Sequence, residues 1–282
     1  MPMSEAALTR VVTHQGVLDV KRHGRVRLFG SLGFMLTVLG VGAWFERFGM
    51  QHFPFICVLT LIVLVLSVWQ VPEAPREANH AQRNVPVWPV LRQPVVAWFF
   101  ASMALHVLGH MAMYVFFSLY CDELGYSKFT IGLLWATSVL IEIAWFFTQG
   151  RWLPMLSMSA WLIVCALVAA IRFALTAAYG EALWVLFAAQ CLHAITFAAH
   201  HTACTALLAR HFPGSLRGRS QALYTVLGYG VPGVLGSWAG GLISFAMGIQ
   251  TVFWVATGVA LLAVLCAVQV WTFEPRQEKG DQ

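Results

Sequence analysis

Several polar residues stand in stretches that are otherwise apolar, and their types suit proton transfer and anion recognition. Glu142 lies inside the run Phe129–Gln149, about three residues past its middle, or roughly 4–5 Å at 1.5 Å per residue. A carboxyl placed there can take up and release a proton, or it can pair with a neighbouring arginine or serine to hold helices together. Arg172 lies inside the next run, with an axial offset from Glu142 of about 13 Å by the same rise, too far for an easy direct pair. Its planar guanidinium matches a carboxylate with two parallel hydrogen bonds. The competing reading is a side chain that snorkels to the outer interface. His106 and His110 are four residues apart and share one helix face, as do His193 and His200 at a spacing of seven, with His201 beside them. Histidine titrates near neutrality and can relay protons. A structural histidine, a zinc or nickel site, or a b-type haem held by two facing rings are the alternatives. No carboxylate or cysteine accompanies the His106/His110 pair.

The elements that must position these residues follow from composition. The chain has 282 residues, 59% hydrophobic and only 10% charged. Soluble domains carry about a quarter charged residues, so the fold class is all-α and polytopic in a membrane. Spans of about 20 apolar residues are expected at Val26–Trp44, Phe53–Val71, Val95–Tyr120, Phe129–Gln149, Met155–Ala178, Ala182–Leu208, Gln221–Met247 and Thr251–Trp271. These eight spans are divided two and six by the polar, proline-bearing linker Pro72–Pro94. The expected parts are therefore residues 1–71, the linker 72–94, a six-helix part 95–272 and a tail 273–282. Fourteen Lys and Arg fall on one side of the spans and two, Arg47 and Lys128, on the other. That bias puts both termini and the linker in the cytoplasm. The first residues lack the apolar core of a signal peptide. The net charge of +5 sits in short loops, which signals topology and not nucleic-acid binding. Six scattered cysteines show no disulfide framework. No P-loop, HExxH or paired catalytic carboxylates occur, so no residues support an ATP-driven or hydrolytic reaction, and no enzyme or cofactor is expected. Glycines 228, 230, 233, 236, 240 and 241 with Pro232 predict a close-packed, bent helix.

The motif Gly24-Arg25-Val26-Arg27-Leu28-Phe29-Gly30 resembles the start of the fifth helix of lactose-permease-like members of the major facilitator superfamily, with the greatest similarity to the phenylpropionate-permease-like branch. Pro2-Met3-Ser4-Glu5-Ala6 is similar to the end of helix four in that family. Tyr114 to Tyr120, followed by Leu124-Gly125-Tyr126-Ser127, resembles the end of helix seven and its outer loop. Ile131 to Ala136, running on to Ile141-Glu142-Ile143, resembles helix eight with its in-membrane glutamate. Leu192 to Phe197 with His200 resembles helix ten, and Arg217 to Tyr224 the inner loop leading into helix eleven.

The resemblance implies a twelve-helix transporter fold of which the eight spans are helices five to twelve, the first four being absent through a late start-site assignment, truncation or loss. It places His106, His110, His193 and His200 at the central cavity, and it makes Arg27, with Glu5 as partner, a candidate substrate contact. The acidic groups that couple protons on helices nine and ten of lactose permease have no counterpart, since Gly180 and Leu183 fall near those positions. Helix seven reads Gly109-His110-Met111-Ala112-Met113-Tyr114 where the branch carries a glycine–tyrosine pair. The expectation is a monomeric secondary transporter of the inner membrane that carries a small, aromatic-acid-like solute with protons. Glu142, His110, His193 and His200 are the proton-coupling candidates, and Arg27, His106, Tyr114 and Arg172 the substrate-binding ones. A haem- or metal-binding membrane protein and a non-transporting remnant are the alternatives.

Overall fold

The computed structural model describes residues 13–14, 17–70, 86–213 and 216–274, so Glu5, the segment 2–6 and residues 72–85 of the expected linker lie outside it. Its long elements are all helical, preceded by a two-residue antiparallel pairing of Thr13–His14 with Val17–Leu18. The helices are α1 (Val20–Phe48) and α2 (Phe53–Trp69), then α3 (Pro94–Glu123), α4 (Phe129–Met155), α5 (Met158–Tyr179), α6 (Leu183–His211), α7 (Gly218–Met247) and α8 (Ile249–Phe273). Among the described residues α3 to α8 are each long and apolar enough to cross a membrane, and α2 is a shorter apolar helix. These eight helices agree with the eight expected spans to within a few residues at most ends. A helical turn, Trp88–Leu91, occupies the end of the segment expected to be a plain linker.

The largest departure is at α1, which begins at Val20, ahead of the hydropathy boundary at Val26. Hydropathy marks where lipid begins, whereas the helix begins where its first N–H groups find acceptors, and here Asp19 Oδ1 accepts from Arg22 N at 3.0 Å. The Gln149 amide donates to the Val20 carbonyl at 3.0 Å. Gly24 is buried so closely against Phe146 and Gln149 that a Cβ there would clash with both.

The chain forms two compact units, one comprising residues 1–28 with 85–282 and the other residues 29–84. In the second unit α2 buries none of its residues and shows Val, Leu and Ile on every side. An all-round apolar helix suits lipid as solvent.

In the first unit α8 packs along α5 and α3, α7 lies on α3, and α6 lies on α5 and α4. Ser127 and Ser157 cap α4 and α5, accepting from Thr130 N at 3.1 Å and Ala160 N at 3.2 Å. Glycines set the approach of α7 to α3: a Cβ at Gly236 would lie 2.6 Å from Met111 Cγ, and one at Gly240 2.5 Å from the Phe116 ring. The close packing expected of α7 is thus present. A π-helical turn, Val226–Gly230, immediately precedes Pro232, whose missing N–H interrupts the ladder there. Buried apolar residues form two clusters, one around Phe99, Met103, Leu162 and Phe212, the other around Met113, Phe117, Phe173 and Phe253. His106 and His110 on α3 and His193 on α6 fall between these clusters along their helices, whereas Arg172 lies among the residues of the second cluster and His200 and His201 among those of the first.

Candidate functional site: a buried polar belt between two apolar clusters

Three helices of the belt carry a π-helical turn: α3 at Ala112–Phe116, α6 at Ala194–Ala199 and α7 at Val226–Gly230. Such turns re-aim side chains and occur frequently at functional sites. The α6 turn lies between His193 and His200, so it separates two histidines that face different partners.

His193 joins the acid to the base. Its Nε2 lies 3.3 Å from Glu142 Oε2, and its Nδ1 lies 3.1 Å from Arg172 Nη1. Arginine only donates, so His193 Nδ1 must accept, and in the neutral ring the proton sits on Nε2 and points to the Glu142 carboxylate. The same Nη1 donates to Thr196 Oγ1 at 3.0 Å, and Nη2 donates to Gln190 Oε1 at 2.8 Å. Arg172 is fully buried, and Glu142 and His193 are nearly so. The snorkelling reading of Arg172 is therefore overturned: the side chain turns inward, where three acceptors on α6 take hydrogen bonds from both terminal guanidinium nitrogens. The axial gap to Glu142 is spanned by the imidazole, which the spacing of two residues on separate helices does not reveal.

Thr196 also ties this group to a second one. Its carbonyl accepts from His106 Nε2 at 2.8 Å, and the His106 carbonyl accepts from His110 Nδ1 at 2.9 Å. The His106 ring stacks on His200 with centroids 3.7 Å apart, and it lies 4.5 Å from His110. His200 also faces Cys204 Sγ at 3.6 Å. Stacked imidazoles leave no space for a porphyrin between His106 and His200, and among the described residues no group of three or more His, Cys, Asp or Glu is placed to hold a metal ion. The stacked pair therefore does not fit a haem held between His106 and His200.

A third group was visible in sequence only through His201 and Arg27. His201 Nδ1 meets the Tyr224 hydroxyl at 3.0 Å, which meets the Tyr229 hydroxyl at 3.2 Å. His23, at the start of α1, stacks on His201 at 5.9 Å and is fully buried. Arg27 lies over the Phe146 ring at 5.8 Å, a cation–π distance. Its expected partner Glu5 is outside the described residues. Tyr114 is 40% exposed, with its ring 6.0 Å from His110. Thus Glu142, His193 and Arg172 come together, His106, His110 and His200 form an adjoining stack with Tyr114 beside His110, and Arg27 stands apart from both. Sequence reasoning missed Gln190 and Thr196. Gln190 had a usable signal, a polar amide inside an apolar run one turn before His193; Thr196 had none, since threonine is ordinary in such helices.

A helical bundle with lipid-suited surfaces around buried polar groups defines a multi-pass membrane protein. Residues 6–255 match the MFS_1 like family, and the chain belongs to it. It is similar to the probable 3-phenylpropionic acid transporter of Escherichia coli (strain K12), with 26% identity over 275 residues, covering 96% of this chain and 70% of that protein. It is also similar to the maltose permease of Geobacillus stearothermophilus, at 24% identity over 84% of this chain and 58% of the permease. An uncharacterised transporter of Bacillus subtilis (strain 168) is 23% identical over 82% of this chain and 58% of its own length. The chain therefore spans less than two thirds of the length of the last two relatives. These relatives are transporters and not enzymes.

Proposed function

We propose that the protein is a secondary active transporter that carries a small organic acid, aromatic in type, together with protons across the inner membrane as a monomer. The Lys and Arg bias of fourteen to two supports cytoplasmic termini. In this reading residues 95–272 are the carboxy-terminal six-helix half, residues 1–71 belong to the amino-terminal half, and 72–94 is the linker between them.

The Glu142–His193–Arg172 chain carries the proposal. With Glu142 ionised, the acid and Arg172 balance each other through a neutral imidazole, and the low-dielectric belt holds no net charge. Protonating Glu142 leaves Arg172 uncompensated, and a buried unpaired charge is strongly unfavourable. A solute carboxylate then restores the balance, so proton and anion favour each other's binding. This is a coupling free energy between two sites, and it is reciprocal. His193 itself does not store the proton while Arg172 occupies its Nδ1; it sets the distance and orientation between the two charges. The aromatic solute rests on the similarity to the phenylpropionic acid transporter and on the rings of Phe173, Phe197 and Tyr114 around the histidines.

The test is uptake of 3-phenylpropionic acid into proteoliposomes under an imposed pH gradient. Glu142→Gln should insert normally and lose accumulation driven by the gradient, while downhill exchange of solute persists. Undiminished gradient-driven uptake by that variant would remove Glu142 from the mechanism.

A further inference from the structure

His106 and His110 hold their protons in positions that the backbone dictates. A carbonyl oxygen can only accept, so His106 donates from Nε2 to Thr196 and His110 donates from Nδ1 to the carbonyl of His106. In the neutral rings the remaining nitrogens, His106 Nδ1 and His110 Nε2, are bare lone-pair acceptors. Both are buried, and neither has a hydrogen-bond partner among the described residues. Each ring is only 2% exposed. The two rings lie 4.5 Å apart, one helical turn from each other on α3, so one bound group can lie beside both. A buried acceptor without a donor is unfavourable by about 1–3 kcal/mol, and two side by side on one helix face offer a place where a donor from outside the protein would be favoured.

The surroundings narrow the donor's chemistry. The Arg172 guanidinium lies within electrostatic reach of both imidazoles, which disfavours an ammonium ion beside them. The His110 ring also meets Phe173 edge-on at 5.1 Å and Tyr114 at 6.0 Å, which gives a flat apolar ring two aromatic neighbours. We infer that His110 Nε2, with His106 Nδ1 beside it, accepts the single proton of an uncharged hydroxyl on the transported solute, so that the preferred solutes are hydroxyl-bearing aromatic acids. The inference rests on the aromatic-acid reading above and adds the group that the acid must carry at its other end. A site built to bond a hydroxyl discriminates strongly against an analogue that lacks it, because its own polar groups are then left unpaired.

The experiment measures binding to the purified full chain of three probes: 3-phenylpropionic acid, 3-(4-hydroxyphenyl)propionic acid and its methyl ether, 3-(4-methoxyphenyl)propionic acid. The hydroxyl acid should bind with a Kd lower than the other two by about tenfold or more. His110→Phe should reduce that preference to within about twofold, and His110→Gln, whose amide oxygen still accepts, should retain part of it. In parallel, nitrogen NMR of histidine-labelled wild-type protein should show His106 and His110 as opposite neutral tautomers, with the two bare nitrogens shifting on addition of the hydroxyl acid. Equal affinity for all three probes overturns the subsite and leaves the aromatic-acid reading standing, whereas failure of all three to bind overturns that reading and, with it, the hydroxyl-acid class. Finding either ring doubly protonated, or a hydroxyl preference that survives His110→Phe in a folded protein, likewise overturns the inference.

Discussion

Replacing Arg172 with methionine tests whether the buried belt is held by charge balance or by its hydrogen bonds alone. The substitution keeps much of the volume and removes three hydrogen bonds, two from Nη1 and one from Nη2. It also removes the cation that the Glu142 carboxylate meets through His193, whose Nε2 lies 3.3 Å from it. Breaking a buried pair by removing one partner is unfavourable by about 3–5 kcal/mol, which converts to a fall in Tm of about 6–20 °C at 2–4 °C per kcal/mol. Adding Glu142→Gln to that variant restores neutrality. The double variant should therefore be more stable than the sum of the two single effects by about 0.5–3 kcal/mol, the usual size of coupling between groups that share a network. Thermal unfolding of the four proteins in one detergent, followed by tryptophan fluorescence, gives the cycle. Strict additivity would refute the argument, because it would mean that Glu142 and Arg172 do not sense each other through the imidazole.

Two further predictions concern packing and a loop. Gly236→Ala should push α7 away from α3, since its Cβ would meet both Met111 Cγ at 2.6 Å and the Leu108 carbonyl at 3.2 Å. Overpacking of this kind destabilises by about 1–3 kcal/mol, whereas Gly241→Ala, with nothing within 4 Å, should leave Tm unchanged or raise it slightly in the same unfolding assay, since alanine favours the helix over glycine. Tyr126, in the loop between α3 and α4, donates to the carbonyls of Gly180 at 3.0 Å and Glu181 at 2.7 Å. Burial, with Cys121 and Glu181 nearby, raises its phenol above the usual tyrosine range. A raised folded-state pKa means that its contribution to stability is complete below the unfolded value and is lost as pH rises through the folded one. Alkaline titration of the tyrosinate absorbance, wild type minus Tyr126→Phe, should place this hydroxyl above an ordinary tyrosine, and an ordinary value would refute the buried setting beside Cys121 and Glu181.

Helix number and approximate bounds were legible in the sequence because lipid imposes a length and a composition on anything that crosses it. Met158–Tyr179, expected from Met155, needed no more than its hydropathy and the serine that caps it. The start of α1 was not found by hydropathy because the stretch before Val26 is polar; its local signal was Asp19, whose carboxylate caps the Arg22 N–H, while its packing on Gln149 and Phe146, on a helix more than a hundred residues away, had none. The candidate site was legible as a set of residues, since an acid, an arginine and histidines in apolar runs stand out on cost alone. Their partnerships were not. Axial rise along two separate helices set Glu142 and Arg172 apart, and only the placement of α6 beside both brought His193 between them.

The sequence by itself thus determined a multi-pass helical protein, the family it resembles and the residues able to do chemistry in it, because burial of polar groups and the thickness of a bilayer act on local composition. The tertiary structure decided which side chains meet and therefore which protons are held. Whether Arg172 seeks water or turns to His193, Thr196 and Gln190, and which nitrogen of His106 and His110 is left bare, depend on acceptors supplied by other helices. A hydrogen bond is directional and short, and no spacing along a single chain specifies it.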